Sequence, residues 1–283
     1  MNYGIYVSYQ DVKTARGLTA SDDDTLLRGY CLSASRAWDM QTHRRFWPLV
    51  ETRYYDYPGP WTLRLDDDLL AVATLTNGDG ETLTENTDFY LYPLSEYPKR
   101  RIDIKRDSGS VLQYSSTMQR AISVAGTWGY HDDWANAWAD SGDAVGNAGG
   151  INAAATSITV TDADGADAWG LTPRFKADTL IRIDSEYLWI TATNTSTNAL
   201  TVVRGVNGST AATHEAAADI YTYRPPQDVV HWITRWVMFL YDQKDTGVYE
   251  TTAMPQMGMM QVPQGIPKDV RQGIAGYRRR RVR

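Results

Sequence analysis

The stretch SDDDTLLRGYCLSASRAW, residues 21–38, predicts the first long helix of the chain. Ser21 is the expected N-cap residue, and the three aspartates after it lie where the helix dipole favours negative charge. Apolar side chains then recur every three or four residues and form one stripe: Leu27, Tyr30, Cys31, Ala34, Ala37 and Trp38. A helix with a single apolar stripe requires another element to cover it.

A second amphipathic helix is predicted over residues 227–245, after Pro226. Its apolar face consists of Val229, Val230, Ile233, Trp236, Val237, Leu240 and Tyr241. We expect the two helices to pack on one another, because neither can bury its apolar face alone. Residues 1–50 and 224–247 are therefore predicted to form one helical core, with the rest of the chain inserted between them.

The residues that directly follow the first helix have the pattern of β-structure. Residues 51–130 contain short β-branched and aromatic runs, with a hairpin-type turn signal at Asn77-Gly78-Asp79-Gly80. Two of the expected strands are Trp61–Leu65 and Leu69–Thr76, and the aspartates at 66–68 are the expected turn between them. This segment is predicted to be an antiparallel β unit.

A second β unit is predicted after a linker. Residues 131–156 are rich in Ala, Gly, Asn and Asp without periodicity, which is typical of a linker. Residues 157–223 contain five expected strands, which indicates a small barrel or sandwich. The predicted fold class is α+β: a small helical bundle of N- and C-terminal helices, inserted antiparallel β material, and an extended C-terminal arm.

Residues 248–283 are predicted to be that arm, in which only Pro267–Tyr277 has the pattern of a short helix. The last 16 residues carry seven basic side chains against one acidic, a net charge of +6, which leaves −12 on the other 267 residues. This tail can bind nucleic-acid phosphates, pair with acidic side chains of a protein, or remain solvated. The acidic body argues against a dedicated nucleic-acid-binding protein.

No persuasive catalytic or metal-binding pattern is present. The single cysteine excludes an internal disulfide framework, and no two of the four histidines are four residues apart. The chain lacks a nucleophile-elbow, phosphate-loop or dinucleotide motif. We expect no catalytic residue, no metal and no cofactor. The absence of an 18-residue apolar run and of a secretory signal favours the cytoplasm, or an assembly built there.

Aromatic residues make up 11% of the chain and include ten tryptophans, which suit the stacking of sugars as well as cores and interfaces. A carbohydrate-binding or carbohydrate-hydrolysing protein is therefore an alternative. It predicts a concave site with two facing carboxylates and an aromatic platform.

The order of several segments resembles the head–tail connector (adaptor, head-completion) family of tailed bacteriophages. The similar segments are the helix at Val12-Lys13, Leu32–Asp39, Thr42–Pro48, Leu91–Pro93, Ile122–Tyr130 and Pro226–Val229. The inserted segment looks like a small β module of phage structural proteins, and this likeness is carried by residues 156–161, 183–188, 200–210 and His214.

This resemblance implies a structural virion protein without catalytic activity. Such adaptors form a ring, usually of twelve copies, which sits between the portal and the tail at the neck and extends the DNA channel. The implied partners are other copies of the chain, the portal protein, a tail-proximal protein and DNA that passes without sequence-specific contacts. The arm residues expected to bind the portal are Met254, Met257, Met259, Met260, Ile266, Tyr277, Arg278, Arg279, Arg280, Arg281 and Arg283.

Overall fold

The structure is a computed structural model that describes residues 3–244, 252–254, 258–260 and 265–279. Within these ranges the fold is α+β, with four helices and two six-stranded antiparallel sheets, so the predicted class is confirmed. The helices are α1 (Tyr9–Arg16), α2 (Asp24–Thr42), α3 (Gln227–Gln243) and α4 (Lys268–Tyr277). Within the described residues, none of the helices has the length and apolar character needed to cross a membrane.

The start of α2 differs from the prediction. The N-cap residue is Asp23 rather than Ser21, and its side chain makes no capping hydrogen bond. Instead, the carboxylate of Asp23 accepts a hydrogen bond of 2.6 Å from the Tyr241 hydroxyl and pairs with Lys244. The side chain therefore joins the start of α2 to the end of α3. At the other end of α2, His43 adopts the left-handed conformation, with φ 55°.

The apolar stripe of α2 is covered by the other helices. α2 contacts α1, α3 and α4, and α3 contacts α4. Leu27, Ala34 and Trp38 are at most 1% exposed, as are Ile233 and Val237 of α3. Tyr30 and Leu240, which we also expected in this core, are half-buried at its margin.

The first sheet contains β1 (Leu49–Tyr55), β2 (Thr62–Thr76), β3 (Thr82–Leu83), β4 (Phe89–Tyr92), β5 (Lys99–Ile104) and β6 (Ile122–Trp128). The strand order is β1-β6-β2-β5-β4, and β3 pairs with β2. It encloses its own apolar core, which includes Leu69, Phe89, Ile102 and Trp128.

The prediction of two strands separated by a turn at the aspartates 66–68 is wrong. β2 is one strand that passes through these aspartates, and its register against β5 shifts between Arg64 and Leu69. The three carboxylates face positive or hydrogen-bonding groups, including Arg53, whose Nη2 lies 2.9 Å from Asp67. Because these partners balance the three charges, the aspartates do not interrupt the strand.

The second sheet contains β7 (Trp138–Ala144), β8 (Ser157–Thr159), β9 (Thr179–Ile183), β10 (Glu186–Asn194), β11 (Ala199–Val203) and β12 (Asp219–Tyr223). Its order is β7-β12-β9-β10-β11-β8. The expectation that residues 131–156 are a linker is therefore wrong for β7, which pairs with β12. The inward residues of β7 are Ala139, Ser141 and Asp143. Because they are small or polar, they produce no apolar alternation in the sequence.

Two further short strands, β13 (Thr252–Met254) and β14 (Gly258–Met260), pair with each other within the predicted arm. Helix α4 follows, and its Val270 and Ile274 are buried in the same core as α2 and α3. This core also contains Trp189 of β10 and Val206, so the second sheet packs against the helices.

Replacement of Trp38 by alanine tests the helical core. Because the indole is fully buried between the helices, we expect Trp38→Ala to lower the free energy of unfolding by about 3–5 kcal/mol. The measurement is urea denaturation. Met40→Ala is the control on the same helix, since Met40 is 75% exposed and its loss is expected to cost less than about 0.5 kcal/mol. Equal losses in the two variants would contradict the packing.

Candidate functional site

The loop from Arg204 to His214 joins the second sheet to the rest of the molecule. The side-chain amide of Asn207 accepts a hydrogen bond of 2.7 Å from the backbone N–H of Tyr3 and donates one of 2.9 Å to the Tyr3 carbonyl. The backbone carbonyl of Asn207 accepts a third hydrogen bond, of 2.9 Å, from the backbone N–H of Val50 in β1. Asn207 therefore connects the second sheet to both the N-terminal segment and the first sheet.

A buried carboxylate holds this loop in place. Glu186 is 1% exposed and accepts hydrogen bonds of 2.7 Å from both Nε and Nη2 of Arg204. The backbone N–H groups of Gly205 and Ala212 donate to it as well, at 2.9 and 3.0 Å. Although burial favours its neutral form, the hydrogen bonds from Arg204, Ala212 and His214 hold the pKa of Glu186 below its ordinary value. The loop is thus fixed at both of its ends by one side chain.

His214 completes this network. Its Nδ1 lies 2.7 Å from Asp184 Oδ2, and its Nε2 lies 2.7 Å from Glu186 Oε2. The imidazole ring therefore bridges the carboxylates of Asp184 and Glu186. The network positions a loop and contains no nucleophile. Each of its side chains serves to hold that loop.

The C-terminal end of α4 is anchored on the body of the molecule. The ring of Tyr277 packs edge-on against Phe46 and Tyr130, each with a centroid separation of 5.4 Å. Arg44 Nε donates a hydrogen bond of 2.6 Å to the Tyr277 carbonyl, and Arg44 also pairs with Asp68. Burial raises the pKa of Asp68 above its ordinary value, and Arg44 and Arg279 oppose that effect.

The anchoring extends to Arg279. Its backbone N–H donates a hydrogen bond of 2.8 Å to the Thr42 carbonyl at the end of α2, and its Nη1 lies 2.8 Å from Asp67 Oδ1 in β2. Arg279, one of the first basic residues after α4, therefore binds the acidic segment of β2 in the same chain. The three consecutive aspartates of β2 supply the negative charge that this arginine requires.

The expected arm residues fall into three groups. Ile266 packs half-buried against the helical core, Tyr277 and Arg279 are anchored as described, and Arg278 is exposed. Met254, Met259 and Met260 belong to β13 and β14, where the structure describes the backbone pairing alone. Met257, Arg280, Arg281 and Arg283 lie outside the described residues.

A cleft of about 350 Å³ lies between the N-terminal segment, residues 167–180 and the start of α3. Aromatic side chains line it, but Tyr6, Trp47 and Trp189 are only 3–4% exposed. Their rings pack into the helical core and do not form an open platform. Within the described ranges, no group of three or more His, Cys, Asp or Glu side chains is arranged to hold a metal ion.

The set of contacts made by Asn207 is the structural feature that sequence reasoning missed. The Arg-Gly-Val-Asn-Gly segment stands out in the sequence, but nothing local indicates that its asparagine binds residues 3 and 50. Such contacts depend on the tertiary arrangement. Comparison with known proteins adds no assignment, since no family model matches the chain and no curated protein is significantly similar to it.

Asp39 gives the helical core a pH dependence. Its Oδ1 accepts a hydrogen bond of 2.6 Å from the Tyr6 hydroxyl, and burial raises its pKa to about 7 despite that bond. An unfolded aspartate has a pKa of about 3.9. Since the folded state retains the proton to higher pH, this group lowers the stability as pH rises from about 4 to about 7.

We therefore expect Asp39→Asn to reduce the change in the free energy of unfolding between pH 5.5 and pH 8. The measurement is urea denaturation of the wild type and the variant at both pH values. Asp22→Asn, at an exposed residue before α2, is the control and should leave the pH dependence unchanged. The same pH dependence in wild type and Asp39→Asn would show that this carboxyl is not the group responsible.

Removal of the Asn207 side chain tests the connection between the second sheet and the N-terminal segment. Asn207 has φ 52°, so glycine retains its backbone conformation while it deletes the amide. We expect Asn207→Gly to cost about 1–3 kcal/mol and to accelerate hydrogen exchange at the Tyr3 amide. Asn86→Gly is the matched control, because Asn86 also has a positive φ but is exposed. Unchanged exchange at Tyr3 would contradict this role.

Proposed function

We propose that the chain is a structural virion protein, a ring-forming head–tail adaptor that joins the portal to the tail of a tailed phage and extends its DNA channel. The proposal rests first on the order of the segments that resemble that family. In it, α1–α4 form the small helical bundle, the two sheets are inserted into it, and the C-terminal segment is the arm that reaches the portal. Twelve copies is the expected ring size, and the neck of the virion is the expected location.

The observation that carries this proposal is the meeting of both chain ends at one core. α2 near the N-terminus and α4 near the C-terminus bury side chains in the same apolar cluster, and Tyr277 packs against Trp38 and Phe46. Arg279, which the basic residues 280, 281 and 283 follow in the sequence, is therefore a firmly held point. A charged segment that starts from a rigid body can reach a neighbouring protein without a loss of stability in the body itself.

The anchoring of α4 also determines at which residue the arm can be truncated while the protein still folds. Val270 is fully buried and Ile274 is 6% exposed, so removal of residues 254–283 would strip part of the helical core. A deletion that begins at residue 280 leaves the Tyr277 and Arg279 contacts intact. Only the shorter deletion separates binding of a partner from folding.

Deletion of residues 280–283 is expected to leave a folded protein that no longer joins portal-filled heads to tails. It removes three arginines that the proposal assigns to the portal contact. Folding is checked by thermal denaturation. Joining is checked by electron microscopy of particles assembled in vitro, where the intact chain should add rotationally symmetric density between portal and tail.

The control for this deletion is the triple variant Arg64→Ala, Arg106→Ala, Arg120→Ala, which removes three exposed positive charges elsewhere. It should still join heads to tails. If the control variant also fails to join heads to tails, the total positive charge of the protein, rather than the tail, is responsible for joining. If the intact chain adds no density at the neck, the adaptor assignment is wrong.

The carbohydrate alternative is favoured by the cleft, which contains aromatic rings and carboxylates. The burial of Tyr6, Trp47 and Trp189 weakens it, because a sugar ring stacks on an exposed aromatic face. Density at the tail tip instead of the neck, together with glycan binding, would favour this alternative over the adaptor.

A further inference from the structure

The outer side of α4 presents three cations to solvent. Lys268 and Arg271 lie within about 60° of each other around the helix, and Arg278 follows its last turn. All three side chains are exposed, whereas Val270 and Ile274, on another side of α4, are buried in the helical core. We call Lys268, Arg271 and Arg278 the basic face.

The cations of the basic face have no anionic partner within the described part of the chain. Asp269 is the only acidic residue among residues 265–279, and it accepts a hydrogen bond of 2.6 Å from Arg235 Nε. Asp67 is likewise taken by Arg279, which follows the face in the sequence. No cation of the basic face forms an ion pair with a described residue. The face therefore carries three positive charges that the molecule itself does not balance.

Stabilisation of the helix does not explain these positions. The helix dipole favours negative charge at the N-terminus and positive charge at the C-terminus. Lys268 is the first residue of α4, and Arg271 lies only three residues further on. Arg278 alone is at the end where the dipole favours a cation. Two of the three cations are thus unfavourably placed for the helix, and an anion bound from outside would offset this effect.

The other exposed residues of α4 indicate which kind of anion the basic face fits. They are Gln272, Ala275 and Gly276, and residues 265–279 expose no large apolar side chain. Protein interfaces depend on aromatic or apolar anchors, which this surface lacks. The phosphates of nucleic acids, in contrast, are bound by Arg, Lys and amide side chains. The surface therefore matches a phosphate backbone better than the acidic surface of a protein.

The absence of exposed rings also favours a duplex over a single strand. Single-stranded nucleic acid is held by the stacking of its bases on aromatic side chains as well as by charge. Among residues 265–279 the one aromatic side chain is Tyr277, and its ring packs against Phe46 and Tyr130. Only contacts to phosphates are left, and a duplex presents these along its whole surface.

The distribution of charge along the chain concentrates such binding at this end. Residues 268–283 carry a net charge of +6, and the other 267 residues carry −12. A polyanion is therefore attracted to the C-terminal end and repelled by the rest of the molecule.

We propose that the basic face of α4 binds the phosphate backbone of duplex DNA. This inference goes beyond the adaptor function, which requires only that DNA pass through the ring, and it assigns Arg278 to DNA instead of the portal. Three cations neutralise about three phosphates, so the contact of one copy is weak, independent of base sequence and sensitive to salt. In a ring, every copy would contribute the same contact, and the contacts would act together.

The test measures the binding of a short fluorescent DNA duplex to the full chain by anisotropy, at salt concentrations between about 50 and 200 mM. Lys268→Ala/Arg271→Ala/Arg278→Ala removes the basic face. The matched control is Arg64→Ala/Arg106→Ala/Arg120→Ala, which removes the same charge from other exposed residues. Each triple variant is also made in a chain that ends at residue 279, which separates the face from the tail. Thermal denaturation checks that all variants fold.

We expect the intact chain and the control to bind the duplex with the same slope of log K against log salt. Loss of the basic face should reduce this slope by about 3, one for each phosphate contact, in both the full and the shortened chain. A single strand of the same length and a polyglutamate of equal charge should bind more weakly than the duplex.

Four results would overturn the inference. They are no binding of the duplex by the intact chain, equal reductions of slope in the two triple variants, loss of binding on removal of the tail alone, and equal or tighter binding of the single strand or polyglutamate. None of these results bears on the joining of heads to tails, so the adaptor function would stand or fall on its own test.

Discussion

The apolar stripe of α2 has to be removed from water, and the rest of the structure is arranged around that requirement. Trp38 at its centre is fully buried, and the side chains that cover the stripe come from widely separated parts of the chain: α1, α3, α4 and β10. Only α1 is close to α2 in sequence, whereas β10, α3 and α4 all lie beyond residue 185, so both ends of the chain and the second sheet complete the helical core.

The polar contacts direct how the sheets join that core. Asn207 binds Tyr3 and Val50 through three hydrogen bonds, while Glu186 holds the loop that carries it. Asp67 and Asp68 of β2 bind Arg279 and Arg44. Apolar burial is not directional, whereas hydrogen bonds and ion pairs require particular geometry. The apolar core therefore supplies the attraction, and these buried polar groups select one arrangement of the two sheets.

This division also bears on the proposed assembly. A ring component must keep its shape while its exposed surfaces and its C-terminal segment engage partners. Anchoring of Tyr277 and Arg279 keeps α4, and with it the cations of the basic face, on the body. Both contacts hold these groups on rigid supports, and a group that is already rigid loses less conformational entropy when a partner binds it.

The local pattern of residues was sufficient to predict α2, α3 and most strands, because the spacing of apolar residues indicates which side chains are buried. The buried side chains that this spacing predicts include Leu27, Ala34, Ile233 and Val237. It failed at β7, whose inward residues are small or polar, and at the three aspartates of β2, whose charges are balanced by distant arginines. The contacts of Asn207, Glu186 and Arg279 likewise join residues far apart in the chain. The local sequence determines the spacing of apolar side chains, and hence the type of element they form. Only folding brings together the distant partners that decide whether a charged or amide side chain is buried.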